Sequence, residues 1–91
     1  MKIRLELRPL VYFTLKAIHL NGGKATPKEL HQLLEDKFGL GRISDGSLYN
    51  ALMQLTYLNL LEKHNSTFVL TEEGKKEFER LDSFFKRIVC L

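Results

Sequence analysis

Residues 43–61 constrain this chain more than any other stretch: Ile-Ser-Asp-Gly-Ser-Leu-Tyr-Asn-Ala-Leu-Met-Gln-Leu-Thr-Tyr-Leu-Asn-Leu-Leu. Ser44 offers a side-chain acceptor for the first free amides of a helix. Ile43 before it and Leu48 after it stand at the two positions of a hydrophobic staple. Asp45 suits the positive end of the helix dipole. Leu48, Leu52, Leu55 and Leu58 or Asn59 follow one face, with Ala51 beside them, and that face is expected to pack inward. The opposite face carries Gly46, Asn50, Met53 and Tyr57, with Ser47, Tyr49 and Gln54 on its flanks. From Ser44 to Leu61 there is no lysine or arginine. The outer face is thus polar yet almost uncharged, which is unusual for a helix that merely meets solvent.

The flanking sequence gives this helix its setting. Residues 2–8 alternate, with Ile3, Leu5 and Leu7 apolar between polar neighbours. Period two suggests a short extended arm, with an early helical start as the alternative. Pro9 disfavours helix at Arg8 and fits a first helical position. Leu10, Phe13, Ala17 and Leu20, with Val11, Leu15 and Ile18 alongside, predict a helix that Asn21-Gly22-Gly23 stops. Lys24-Ala25 reads as a minimal strand. Thr26-Pro27-Lys28-Glu29 is a capping box, and Leu30, Leu33, Leu34 and Phe38 follow it at helical spacing up to Gly39-Leu40-Gly41. After the central helix, Leu60–His64 and Thr67–Leu70 flank Asn65-Ser66 and predict a hairpin. Thr71 caps a last helix with Glu72 and Glu73 at its start and Lys86 and Arg87 near its end. Phe78, Leu81, Phe85 and Ile88 recur along it at 3-4-3 spacing, widened by Phe84, Val89 and Leu91.

Size and composition exclude several classes. At 91 residues the chain fits one domain, with little room for an enclosed catalytic cleft. Hydrophobic residues at 44% and charged residues at 27% describe a globular chain, not a disordered one. No apolar run approaches the ~20 residues needed to span a bilayer. The first residues lack the apolar core of a signal peptide, so an intracellular protein is expected. A net charge of +3 is compatible with nucleic acid without demanding it. Cys90 is alone, so no intrachain disulfide can form. His19, His31 and His64 fall on separate elements without metal-ligand spacing. The glycines form no phosphate-binding fingerprint. Glu35-Asp36 and Glu72-Glu73 read as solvated faces and dipole partners. No catalytic residue, metal site, cofactor or small-molecule ligand is therefore expected, and an enzyme is not.

Helix, strand, helix, helix, hairpin is the winged-helix order. Ile43-Ser44-Asp45-Gly46-Ser47-Leu48-Tyr49-Asn50-Ala51-Leu52, then Leu60-Leu61-Glu62, then Leu70-Thr71-Glu72-Glu73-Gly74-Lys75, resembles the PadR-like group of winged-helix regulators. The chain is more similar still to small winged-helix proteins encoded by viruses of hyperthermophilic archaea. There the similarity runs through Lys76-Glu77-Phe78-Glu79 and the tail Phe84–Cys90. It is closest over residues 43–90 and rests mainly on pattern before that. The resemblance implies an α+β fold: a winged helix-turn-helix with a long C-terminal dimerisation helix. A single domain is expected over 1–91. Its core spans 9–71, with a recognition helix at about 44–59 and a wing at about 60–70; the dimerisation helix covers 72–90. The resemblance further implies a homodimer that binds double-stranded DNA and regulates transcription.

Carried onto this chain, the family motif puts Ser47, Tyr49 and Asn50 at the groove-facing start of the recognition helix, with Met53 and Gln54 further along. Asn and Gln pair bidentately with adenine, Ser reaches several bases, and Met or Tyr meets a thymine methyl. Gly46 allows close approach to a phosphate. The helix itself lacks positive charge, so phosphate anchoring falls to Lys24, Lys28, Arg42, Lys63 and His64. On the last helix, Phe78, Leu81, Phe84, Phe85, Ile88 and Val89 form an apolar face that exceeds what a small domain should cover. That face is the expected dimer seam. Cys90 is either a small terminal residue or, given hosts where intracellular disulfides persist, a bridge to its twofold mate. A winged-helix module that binds protein and has lost DNA is the competing reading, which the uncharged face and modest net charge keep open.

Overall fold

A computed structural model describes residues 9–89, excluding the side chains of Pro9, Phe85, Ile88 and Val89. The arm expected at residues 2–8 and the terminal Cys90 lie outside the described residues. The elements run α1 (Pro9–Leu20), β1 (Lys24–Ala25), α2 (Pro27–Phe38), α3 (Asp45–Tyr57), β2 (Leu61–His64), β3 (Thr67–Leu70) and α4 (Glu72–Val89). The three strands form one antiparallel sheet in the order β1-β3-β2.

The helix ends follow their sequence signals closely. Thr26 and Glu29 close the reciprocal capping box of α2: the Glu29 amide donates to Thr26 Oγ1 at 3.2 Å, and the Thr26 amide donates to Glu29 Oε1 at 2.9 Å. Gly22 and Gly23 take φ of 82° and 92°, which lets the Gly23 amide reach back to Ile18 O at 2.9 Å and end α1. Asn59 ends α3 in the same way, with φ of 67° and the Leu60 amide donating to Leu55 O at 2.9 Å. Asn59 is thus a helix stop and not part of the inward face, and Leu58 is 46% exposed. Asn65 takes φ of 59° at the hairpin turn, as its side chain permits.

Helix α1 is the hub, packed against α2, α3, α4 and β3. It is therefore buried more widely than one stripe. Val11, Tyr12, Leu15, Ala17 and Ile18 are inside, Leu10 and Phe13 are half-buried, and Leu20, expected on the stripe, is 51% exposed. Thr14 is fully buried, which is tolerated because its hydroxyl donates to Leu10 O at 2.7 Å. The inward face of α3 is Leu48, Ala51, Leu52 and Leu55. Each of those leucines contributes about 1.5–3 kcal/mol by burial. They meet Leu30 and Leu34 of α2, the α1 face, and Phe68, Leu61 and Leu70 of the sheet in one core.

The first turn of α4 explains the run Leu70-Thr71-Glu72-Glu73-Gly74. The Thr71 hydroxyl lies 2.8 Å from Asn59 O and 3.1 Å from Leu60 O, to which it donates, and it accepts from the Gly74 amide at 2.9 Å. Gly74 sits so close to the start of the wing that a Cβ there would stand 2.1 Å from Leu60 O. The residues therefore lash the start of α4 to the junction between α3 and β2. Further along, Tyr12 donates to Asp82 Oδ1 at 2.6 Å and Lys86 Nζ lies 3.1 Å from Asp82 Oδ2. Burial and then this hydrogen bond push the Tyr12 phenol up, while the bond from Tyr12 holds the Asp82 carboxyl down. Phe78 stacks between Tyr12 and His19.

Candidate nucleic-acid interface

The exposed face of α3 is presented as its sequence implies. Ser44 accepts from the Ser47 amide at 3.1 Å and starts the helix. Ile43 packs against the core cluster that contains Leu48, consistent with the staple. With the leucines fixed inward, Gly46, Asn50, Met53 and Tyr57 turn outward, and Tyr57 is 89% exposed. Ser47, Tyr49 and Gln54 are also exposed along the edges of that face. Met53 and Tyr49 expose large apolar surface that the fold has no use for internally. Gly46 has open space where a Cβ would stand, so nothing inside the domain requires a glycine there.

Two shallow hollows flank the leading end of α3. One is lined by Pro27, Lys28 and His31 of α2 together with Asp45, Gly46, Leu48 and Tyr49. The other is lined by Leu10, Phe13, Leu40, Arg42, Ile43, Ser44 and Ser47. Ser47 therefore lies on the Arg42 side of the helix and Tyr49 on the Lys28 side. The Ser47 hydroxyl also accepts from the Ser44 hydroxyl at 3.0 Å, so part of its capacity serves the cap.

The basic candidates divide in a way their order along the chain conceals. Strand pairing sets Lys63 opposite Phe68, and Phe68 opposite Ala25. Directly paired residues share a sheet face, so Lys63 belongs to the core side. Beyond the edge of the core its ammonium reaches over the Tyr49 and Phe68 rings, 5.9 Å from each centroid. Lys24, Val69 and Glu62 pair across the other face, and His64 follows Glu62 by two residues. His64 Nε2 lies 3.1 Å from Glu62 Oε1. Lys28, Arg42 and Lys63 thus gather around the start of α3, whereas Lys24 and His64 stand on the far face of the sheet.

The seam expected on α4 also divides. Phe78 is only 6% exposed and Leu81 only 1%. Both lie within the single chain's own core, so neither is left to meet a second subunit. Phe84 remains 40% exposed, while the side chains of Phe85, Ile88 and Val89 are not among those described. The first three turns of α4, which carry Phe78 and Leu81, cover α1 before any partner could.

The whole fold matches that of F93 from STIV, a winged-helix DNA-binding protein. The TM-score is 0.81 at 35% identity, over 99% of this chain and 95% of that one. The chain belongs to the winged-helix DNA-binding family. The structure of BpsR from Bordetella bronchiseptica, whose DNA binding is regulated by 6-hydroxynicotinic acid, shares the fold. Its TM-score is 0.74 at 17% identity, over 92% of this chain and 59% of that one. No protein-family model matches the chain, and no curated protein does. Within the winged-helix frame α2 and α3 form the helix-turn-helix, and the β2–β3 hairpin stands where the wing does. Among the described residues no helix is long and apolar enough to cross a membrane. No three His, Cys, Asp or Glu side chains among them group as a metal site.

Proposed function

We propose that this winged-helix protein is a transcription regulator that binds double-stranded DNA sequence-specifically as a homodimer. The observation that carries the reading is the outward face of α3: exposed, polar, without lysine or arginine, and flanked near its leading end by Lys28, Arg42 and Lys63. In this reading α3 enters the major groove. Asn50 pairs with adenine, Ser47, Tyr49, Met53 and Gln54 make further base contacts, and the three cations hold phosphates. The DNA binding of F93 and of BpsR supports it. The dimer would be built on the last turns of α4, where Phe84, Phe85, Ile88 and Val89 follow one another. The resemblance over residues 43–90 further suggests an origin in a virus of a hyperthermophilic archaeon, where a Cys90–Cys90 bridge would lock that dimer. Gels run with and without reductant test the bridge, and a monomer band in both eliminates it.

Binding to random-sequence and selected duplexes across a salt series tests the function. Affinity should fall steeply as salt rises. Asn50→Ala should relax sequence preference, while Lys63→Ala should weaken binding to every duplex alike. Equal effects of the two would contradict the division of roles. The exposed carboxylate at the start of this face, Asp45, favours a second reading as a protein-binding module. Absence of duplex binding at low salt would select it.

A further inference from the structure

A carboxylate at the leading end of a helix that approaches phosphates works against binding. Asp45 is such a carboxylate. It is the first residue of α3, and its side chain is 98% exposed. The structure sets a histidine of the preceding helix against it: His31 Nε2 lies 2.9 Å from Asp45 Oδ1. The approach is off the line of a hydrogen bond, and Nε2 is covered from solvent although the His31 side chain as a whole is 29% exposed. A neutral imidazole, whichever ring nitrogen carries its hydrogen, leaves the carboxylate's negative charge in place. A protonated imidazole is attracted and cancels the negative charge. The state of one proton therefore decides whether the start of the recognition helix is negative or neutral.

We propose that His31 and Asp45 belong to the DNA interface as a charge pair that makes duplex binding proton-linked. The proposal rests on the DNA-binding reading above. Other polar and charged groups stand around the hollow. Lys28 comes from α2, Tyr49 from α3, and Lys63 of β2 lies over the Tyr49 ring. Glu35, one turn beyond His31 on α2, lies against Gly41. On α1, Lys16 reaches the rings of Tyr12 and Phe38 and His19 stacks on Phe78, so neither enters the hollow. Histidine is the side-chain type that ordinarily changes charge between about pH 5 and 8. With His31 neutral, Asp45 is uncompensated and repels phosphate. With His31 protonated the pair is neutral, and phosphate favours that form. Binding therefore takes up protons and strengthens on acidification.

The test is duplex affinity at constant salt from pH 5.5 to pH 8 for four proteins. Wild type should bind about threefold to tenfold more tightly at pH 5.5 than at pH 8, as expected for one screened charge near the backbone. Its salt slope should steepen by about 0.9 over the same interval, the increment of one charge. Asp45→Asn should bind more tightly than wild type at pH 8; the site is exposed, so the fold is not at stake. His31→Gln should stay weak and lose most of the pH response, with a thermal melt checking its fold. His64→Gln, which breaks the similar His64–Glu62 pair on the wing, should keep the response. Asp45→Asn no tighter at pH 8, or a full response surviving in His31→Gln, overturns the proposal while leaving DNA binding intact. A response lost in His64→Gln alone overturns it too. No duplex binding at any pH overturns both this proposal and the function it rests on.

Discussion

Single residues show how differently two glycines can be used. At Gly74 a Cβ would stand 2.1 Å from Leu60 O and 2.9 Å from Leu70 Cδ1, and backbone cannot yield as a side chain tip can. Gly74→Ala should therefore destabilise the domain by about 2–3 kcal/mol through overpacking. That lowers the melting temperature by roughly 10 °C or more in a domain of this size. A melt unchanged within a degree or two would show that α4 can shift away from the wing. At Gly46 nothing lies within 4 Å of a Cβ and φ is ordinary. Gly46→Ala should stabilise the helix by about 0.5–1 kcal/mol. If DNA backbone approaches there, the same change should weaken duplex binding. Stability and affinity would then move in opposite directions, an outcome that urea unfolding and a binding isotherm measure together. A variant gaining both would place the DNA elsewhere on the helix.

At the level of elements, α4 is held at two points, and the second one titrates. The Thr71–Gly74 turn fastens its start, and the Tyr12–Asp82–Lys86 cluster fastens its middle to α1. The Asp82 carboxyl is held below its ordinary value by the bond from Tyr12. Its contribution is therefore fully present above the unfolded carboxylate range, near pH 4, and is lost as pH falls through the lower folded value. Asp82→Asn should cost on the order of 1–2 kcal/mol at neutral pH, the scale of a hydrogen bond to a charged group. The gap between variant and wild type should narrow in acid, which urea unfolding at pH 7 and pH 3 reads directly. A gap that stays constant would mean the carboxylate charge contributes nothing to docking α4. Tyr12 has the opposite sense: its raised phenol contributes stability below pH 10 that is lost only as alkali takes the proton.

For the whole molecule, what matters is how much of α4 remains after the core is satisfied. The helix has 18 residues, so it extends about 27 Å. Phe78 and Leu81 are buried on its own domain, which leaves the later turns as the region for a twofold seam. The proposed dimer should appear in sedimentation equilibrium at micromolar concentration. Phe84→Glu should shift it towards monomer without unfolding the domain and should weaken binding to a two-half-site duplex. Affinity for a single half-site should change little. Half-sites about 34 Å apart, one turn of DNA, are the spacing such a dimer prefers. A wild-type monomer at those concentrations would remove the seam from the proposal.

Much of this architecture is legible in the residues, because caps, staples and turn residues act locally. Thr26 with Glu29, Ser44, Asn65 and Thr71 work within three or four residues of themselves, and the leucines of α3 repeat at a period that only one helix face can satisfy. The uncharged outer face of α3 follows from the same count. What the residues alone left open depends on neighbours distant along the chain. His31 is one histidine among three until α2 and α3 pack and bring it to Asp45. Lys63 and His64 are adjacent basic residues until strand pairing sends them to opposite faces. Phe78 and Leu81 share a stripe with Phe84 until α1 covers the first three turns of α4. Local conformation is dictated by short-range sterics and hydrogen bonding, which the chain carries in its sequence. Which side chains are buried, paired or left for a partner is settled only when separate elements compete for the same space.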